Sequence, residues 1–161
     1  MKYLIFSLFL LLAVSCGGVV YSDTASVKDE LVSFDFRDCK DFDDLTPDTK
    51  AKLMATHLFV SDLDVDYEVC AVDEGYHLGI YVIDRNFESY CEQNESCLEA
   101  RKSHENHEKN YPSLPKGIHV SKENVFIIFN VGIYPKWSNT KVTRGEIIEI
   151  FRKDLNPDVI R

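Results

Sequence analysis

Val125-Phe126-Ile127-Ile128-Phe129 is the stretch that most limits what this chain can fold into. A strand sends successive side chains to opposite faces, and here both faces are apolar. A run of that kind belongs in the middle of a sheet, not at its edge. The chain must therefore supply partner strands. Two neighbouring patterns do so. Asp66–Val72 alternates, and Tyr76–Ile83 is rich in aromatic and β-branched residues. Asp73-Glu74-Gly75 between them has turn chemistry, so the two form a hairpin. Ile118–Val120 and Asn124–Val131 form a second hairpin around Ser121-Lys122-Glu123.

Helical spacing fills the gaps between the strands. Thr46-Pro47 is an N-cap followed by Pro at the first helical position. Leu53, Met54, His57 and Leu58 then recur at helical intervals. Phe87, Tyr90, Cys91, Leu98 and Arg101 predict a helix over 86–108, with Pro112 and Pro115 in the loop after it. Thr143-Arg144-Gly145-Glu146 matches a capping box. Ile147, Ile148, Ile150, Phe151 and Leu155 follow as an amphipathic stripe, stopped by Asn156-Pro157. Residues 31–36 read as an edge strand. The expectation is an α+β fold of two layers: an antiparallel sheet of about four to five strands with about three helices.

The first residues carry an address. Lys2 is followed by an apolar run from Leu4 to Val14 and then by small residues. That order is the pattern of a secretory signal. The run is well short of the ~20 residues that span a bilayer. Residues 1–22 are therefore expected to act as a signal peptide. Residues 23–45 form an acidic N-terminal segment, and 46–161 a single α+β domain. Two cleavage sites compete. Leu12-Ala13-Val14-Ser15-Cys16 resembles a bacterial lipoprotein signal, which implies a cut before Cys16 and lipid attachment to it. Ala13 departs from that pattern, where Leu is commoner. The alternative cut lies near Val20-Tyr21-Ser22 and discards Cys16. The protein is expected to be exported, either lipid-anchored in the cell envelope or secreted or periplasmic.

Four cysteines remain after Cys16: Cys39, Cys70, Cys91 and Cys97. An even set in an exported chain reads as two disulfides, with three connectivities open. Cys91 and Cys97 are six residues apart. In one continuous helix that is ~9 Å of rise, beyond the ~6.8 Å limit for a bridged Cα pair. They can pair only if Gln93–Ser96 interrupts the helix. Pairing 39–70 with 91–97 is the favoured arrangement.

The formal charge is −9, or −10 once Lys2 is removed. Such a balance argues against nucleic acid or an anionic lipid surface as partner. It suits a basic protein partner. Asp35, Asp38, Asp41, Asp43, Asp44 and Asp48 form one acidic run. Asp62–Glu68 forms another. The second resembles the start of a calcium loop only superficially, because Tyr67 stands where Gly is required. Alternation of its acids with Leu63, Val65, Tyr67 and Val69 reads as a charged edge strand.

Catalytic motifs are missing: no GxSxG, no Gly-rich phosphate loop, no Cys–His pair. The chain thus reads as a binding protein sooner than an enzyme, with no cofactor expected. His104-Glu105-Asn106-His107-Glu108 is the best metal candidate. His104 and His107 share a helix face at a spacing of three, and Glu108 follows His104 by four. Zinc is the ion such a set would take, in a metal-binding protein or a metal-dependent hydrolase. The HExxH spacing is not met. Gly132–Asn139 is a loop that holds the only Trp, and Tyr134 and Trp137 are the binding candidates there. Asn94-Glu95-Ser96 fits the glycosylation triplet. The functional expectation is an envelope inhibitor or immunity-type protein acting on a protein partner. Metal binding and a purely structural envelope lipoprotein are the alternatives.

Overall fold

The computed structural model describes residues 20–48, 63–73, 76–110, 117–131 and 143–161. In chain order the elements are α1 (Thr24–Glu30), β1 (Arg37–Asp41), a short 3-10 turn (Phe42–Asp44), β2 (Val65–Asp73) and β3 (Tyr76–Ile83). Then come α2 (Phe87–Gln93), α3 (Glu95–Asn110), β4 (Ile118–Lys122), β5 (Val125–Val131), α4 (Arg144–Asp154) and β6 (Val159–Ile160). A helix also starts at Pro47 and Asp48, directly after Thr46. The rest of that expected helix, with His57, lies outside the described residues. No helix among the described residues is long and apolar enough to cross a membrane.

All the strands join one antiparallel sheet in the order β1-β2-β3-β5-β4-β6. The α+β class and both hairpins agree with the sequence reading. The sheet has six strands, one or two more than expected. The extra strands are short and sit at its edges. β1 occupies 37–41, just after the 31–36 stretch where an edge strand was expected. Phe34 and Phe36 instead pack inward against the core. β6 is a two-residue strand on β4, too short to show a periodicity.

β5 is central, as its composition demands, with β3 on one side and β4 on the other. Its two faces serve two cores. Val125, Ile127 and Phe129 point to one side, with Leu78, Ile80, Val82, Ile118, Val120, Cys70 and Val72. Val27 and Leu31 at α1, and Ile147, Phe151 and Leu155 at α4, cover that side. Phe126 and Ile128 point to the other, with Tyr67, Tyr81 and Ile83. Phe87, Cys91 and Cys97 of α2 and α3 cover it. Helices thus lie on both faces, which adds a layer to the two expected. A strand apolar on both sides demands cover on both sides.

The segment 23–45 belongs to this packing. Asp23 caps α1 by accepting the Ser26 amide (2.8 Å), and Ser26 closes a capping box in return. That bond holds the Asp23 carboxyl below its ordinary range. Val27 and Leu31 are fully buried. α1 lies over the β2 face that carries Asp66 and Glu68. Asp66 accepts the Thr24 amide (2.7 Å). Glu68 is buried and pairs with Lys28 at 2.6 Å. The alternation in β2 is as expected, but the strand is not an edge: it lies between β1 and β3, and of its acidic face Glu68 is buried while Asp66 stays exposed.

Both disulfides follow the favoured pairing: Cys39–Cys70 and Cys91–Cys97. The helix expected over 86–108 is in fact two helices, α2 and α3, broken at Asn94. That break brings Cys91 and Cys97 to a Cα separation of 5.1 Å. At the other end, α4 keeps its capping box, with Thr143 and Glu146 bonded reciprocally. Asn156, at φ 46°, is the left-handed residue that stops it.

Three tyrosines are buried in this packing. Burial is the main cause that raises the ionisation of Tyr21, Tyr67 and Tyr81 above the ordinary value of 10.0. Tyr21 also donates to Glu30, and Tyr67 and Tyr81 share a hydrogen bond. Above pH 10 the unfolded chain loses these protons while the folded chain keeps them. The folded state then binds more protons, so stability falls as pH rises past 10. In an alkaline titration, the tyrosinate absorbance of these three residues is expected to appear together with loss of far-UV circular dichroism. Their ionisation well before any unfolding would refute the burial argument.

Candidate functional site

Two regions hold those of the functional side chains singled out in the sequence that fall among the described residues. The first is the β1 edge. β1 is the outermost strand, and its backbone is bulged. Arg37 faces Ala71 and Lys40 faces Val69, so Asp38 and Cys39 together oppose Cys70 alone. Asp38 takes the left-handed conformation at φ 47°. Asp tolerates that geometry better than most residues. The bulge turns Cys39 onto Cys70, and the disulfide pins the strand.

Below the strand, Phe42 packs edge-on to Tyr67 with ring centroids 6.1 Å apart. Leu45 is buried in the same cluster. These anchors leave Asp35, Asp38, Asp41, Asp43, Asp44 and Asp48 exposed along one edge. Arg37 and Lys40 are the basic residues within that stretch, and Arg37 already pairs with Asp35 at 2.6 Å. The edge is therefore net negative, and it is held by apolar anchors and a covalent bond. Donor atoms of Cys39, Glu68 and Cys70 also lie within 4.8 Å of one another. Both sulfurs belong to the disulfide, and Glu68 is paired with Lys28. That trio offers no free thiolate to an ion.

The second region lies between α3 and β4. His104 is half-buried on α3, and its ring stacks on His119 of β4 with centroids 4.0 Å apart and planes 22° from parallel. His119 in turn meets Phe126 edge-on at 5.6 Å. Next to this stack, Glu88 accepts Arg101 (2.8 Å) and the Ser121 hydroxyl. Arg161 lies 3.6 Å from the other Glu88 oxygen. Arg101 also sits over the Phe87 ring at 5.4 Å. Glu88 thus ties α2, α3, β4 and the last residue together.

His107 and Glu108 are in α3, but their side chains lie outside the described residues. The neighbour that the fold gives His104 is His119. From the sequence, the face on which His119 lies was open. It is decided by the β4–β5 register, which places His119 opposite Ile128.

Asn94 has a structural role that the glycosylation triplet hides. Its Oδ1 accepts the Cys97 amide (2.9 Å), and its Nδ2 donates to the Tyr90 hydroxyl (2.9 Å). The side chain caps the new helix after the break, inside the ring closed by Cys91–Cys97. Cys16, Tyr134 and Trp137 lie outside the described residues.

Residues that the sequence reading passed over prove central to the fold. Asn124 is the clearest case. Buried at the β4–β5 turn, it accepts the Tyr21 amide (2.9 Å) and donates to the Tyr21 carbonyl (2.9 Å) and the Ile83 carbonyl (3.0 Å). Only its position next to a turn hinted at this, because its partners lie far away in the chain. Comparison of this chain with protein-family models, with curated proteins and with solved structures finds no match.

Replacing Asn94 tests whether the cap or the disulfide holds the α2–α3 corner. Asn94→Ala is expected to cost about 1 kcal/mol in a urea titration, the usual cost of a lost N-cap. The Cys91–Cys97 bond should remain in a non-reducing peptide map. A loss near zero would mean that the disulfide alone makes the corner.

Proposed function

We propose that this is a small exported binding protein, an envelope inhibitor or immunity-type protein that presents a negative surface to a basic protein partner. The observation that carries this reading is the net negative β1 edge, where Asp35, Asp38, Asp41, Asp43, Asp44 and Asp48 are exposed. Its backbone is pinned by Cys39–Cys70 and by Phe42 and Leu45. A pre-ordered charged edge accelerates encounter with an oppositely charged partner and loses little entropy on binding. The two disulfides support an oxidising compartment. Under this reading the leader exports the chain. The domain is then either held at the membrane through lipid on Cys16 or released. Tyr134 and Trp137 are proposed as the aromatic contacts, in the manner of interface anchors. The overall charge of −9 disfavours nucleic acid.

Asn substitution removes charge here without adding bulk, and Asn accepts the left-handed backbone at position 38. The test uses Asp38→Asn, Asp41→Asn, Asp43→Asn and Asp44→Asn combined, beside Trp137→Ala. A partner is captured from the native host with the unaltered chain, purified, and titrated against each variant. The four-Asn variant should associate roughly tenfold or more slowly at low salt, with the difference closing as salt rises. Equal association rates would remove the acidic edge from the mechanism. Capture of no partner would favour a purely structural envelope protein.

Metal binding is the second reading, and one observation favours it. His104 is half-buried and lies against a second imidazole, His119. Zinc takes imidazole donors, but stacked rings do not aim their in-plane lone pairs at one ion, so His107 and Glu108 rather than His119 would have to complete the set around His104. Zinc titration by calorimetry decides it. Stoichiometric uptake that disappears in the His104→Ala/His107→Ala variant would support the site. No uptake, or uptake that survives the variant, would end the reading.

A further inference from the structure

We infer that the exported chain keeps Tyr21 inside its folded domain, so that the signal is cut upstream of Val20 and the site near Ser22 is not used. The inference rests on the export reading above and makes it specific.

Tyr21 is 4 % exposed, although it lies within the residues that one cleavage would discard. Its backbone is locked at both ends. Its amide donates to Asn124 Oδ1 at 2.9 Å, and its carbonyl accepts from Asn124 Nδ2 at 2.9 Å. Asn124 is itself 5 % exposed, and losing Tyr21 would remove both the donor to its Oδ1 and one acceptor of its Nδ2. The Tyr21 ring lies in the core that contains Val27, Val82 and Val125. Its hydroxyl donates to Glu30 at 2.5 Å. Lys122 donates to the same Glu30 oxygen at 3.1 Å and sits 5.4 Å from the centre of the Tyr21 ring. One residue therefore connects α1, the β4–β5 turn and, through Asn124, the end of β3.

The position of the cut can be narrowed further. Hydrolysis consumes one water, leaving a carboxylate on the residue before the cut and an amine on the residue after it. A cut directly before Tyr21 would convert its buried amide into a charged amine, which is costly away from water. Val20 is 74 % exposed and can carry a chain end at no such cost. The mature chain should therefore begin no later than Val20. Of the two cleavage sites visible in the sequence, only the one before Cys16 meets this condition. At ~3.5 Å per residue, the stretch from Cys16 to Tyr21 reaches at most ~17 Å. A lipid on Cys16 would then hold the domain close to the bilayer.

Two measurements test the inference and separate it from the export reading. First, chains Val20–Arg161 and Asp23–Arg161 are produced with their disulfides formed and melted side by side, with Tyr21→Ala in the longer chain as a third sample. The shorter chain and the variant should each melt ~5 °C or more below Val20–Arg161. Equal melting would overturn the inference, whatever the protein's location. Second, the intact mass of the protein is taken from its native host. A first residue between Cys16 and Val20 supports the inference, with added acyl mass on Cys16 marking the lipidated form. A first residue at or beyond Tyr21 overturns it and leaves export standing. A chain that still begins at Met1 overturns the export reading itself, and the inference with it.

Discussion

A strand that is apolar on both faces cannot be left with one side in water. The described helices and strands answer that constraint. Ile127 and Phe129 are fully buried on one side of β5, and Phe126 and Ile128 are nearly so on the other. Burying side chains of this size is worth ~1.5–3 kcal/mol each. That gain is lost unless both sides are covered. The sheet therefore sits between α1 with α4 and α2 with α3. β3 and β4 satisfy the β5 backbone on either hand. The hydrogen-bonded edges fall to short strands with exposed or half-buried residues, β1 and β6. Edges of that kind discourage pairing with other chains.

The disulfides act on the parts of this sandwich that packing holds least. Cys91–Cys97 closes a small ring around the corner between α2 and α3, where Asn94 ends one helix and caps the next. Cys39–Cys70 fastens the outer strand to the buried face of β2. A bulged, charged edge strand has little apolar area of its own. The crosslink limits how far it can stray in the unfolded chain, by an amount that grows with the loop it closes. The same bond ties the strand that carries Asp38 and Asp41 to β2, and the proposed binding role depends on that order.

Buried and half-buried polar groups do the remaining positioning. Asn124, Glu68 and Glu88 each reach a segment distant in the chain: Tyr21, Lys28 and Arg101 respectively. A buried polar group left alone is costly, so each of them selects one arrangement of the segments it joins. Through Asn124 this selection extends to Tyr21, which is buried against the core although it lies at the end of the stretch that reads as a signal.

Much of the secondary structure was legible from the sequence alone. Alternation marked β2 and the apolar runs marked β3 and β5. The capping box marked the start of α4, and Asn156-Pro157 marked its stop. These signals are local, because capping and periodicity act within a few residues. The cysteine pairing was partly legible for the same reason, since helical rise made the 91–97 bond require a break. Only the tertiary structure decided the rest. Glu68 looks like part of a solvent face until α1 brings Lys28 over it. His119 has no assignable face until β4 pairs with β5. Tyr21 looks like leader until Asn124 binds both ends of its backbone. In each case the deciding contact joins residues far apart in the chain, and no local pattern records which of them will meet.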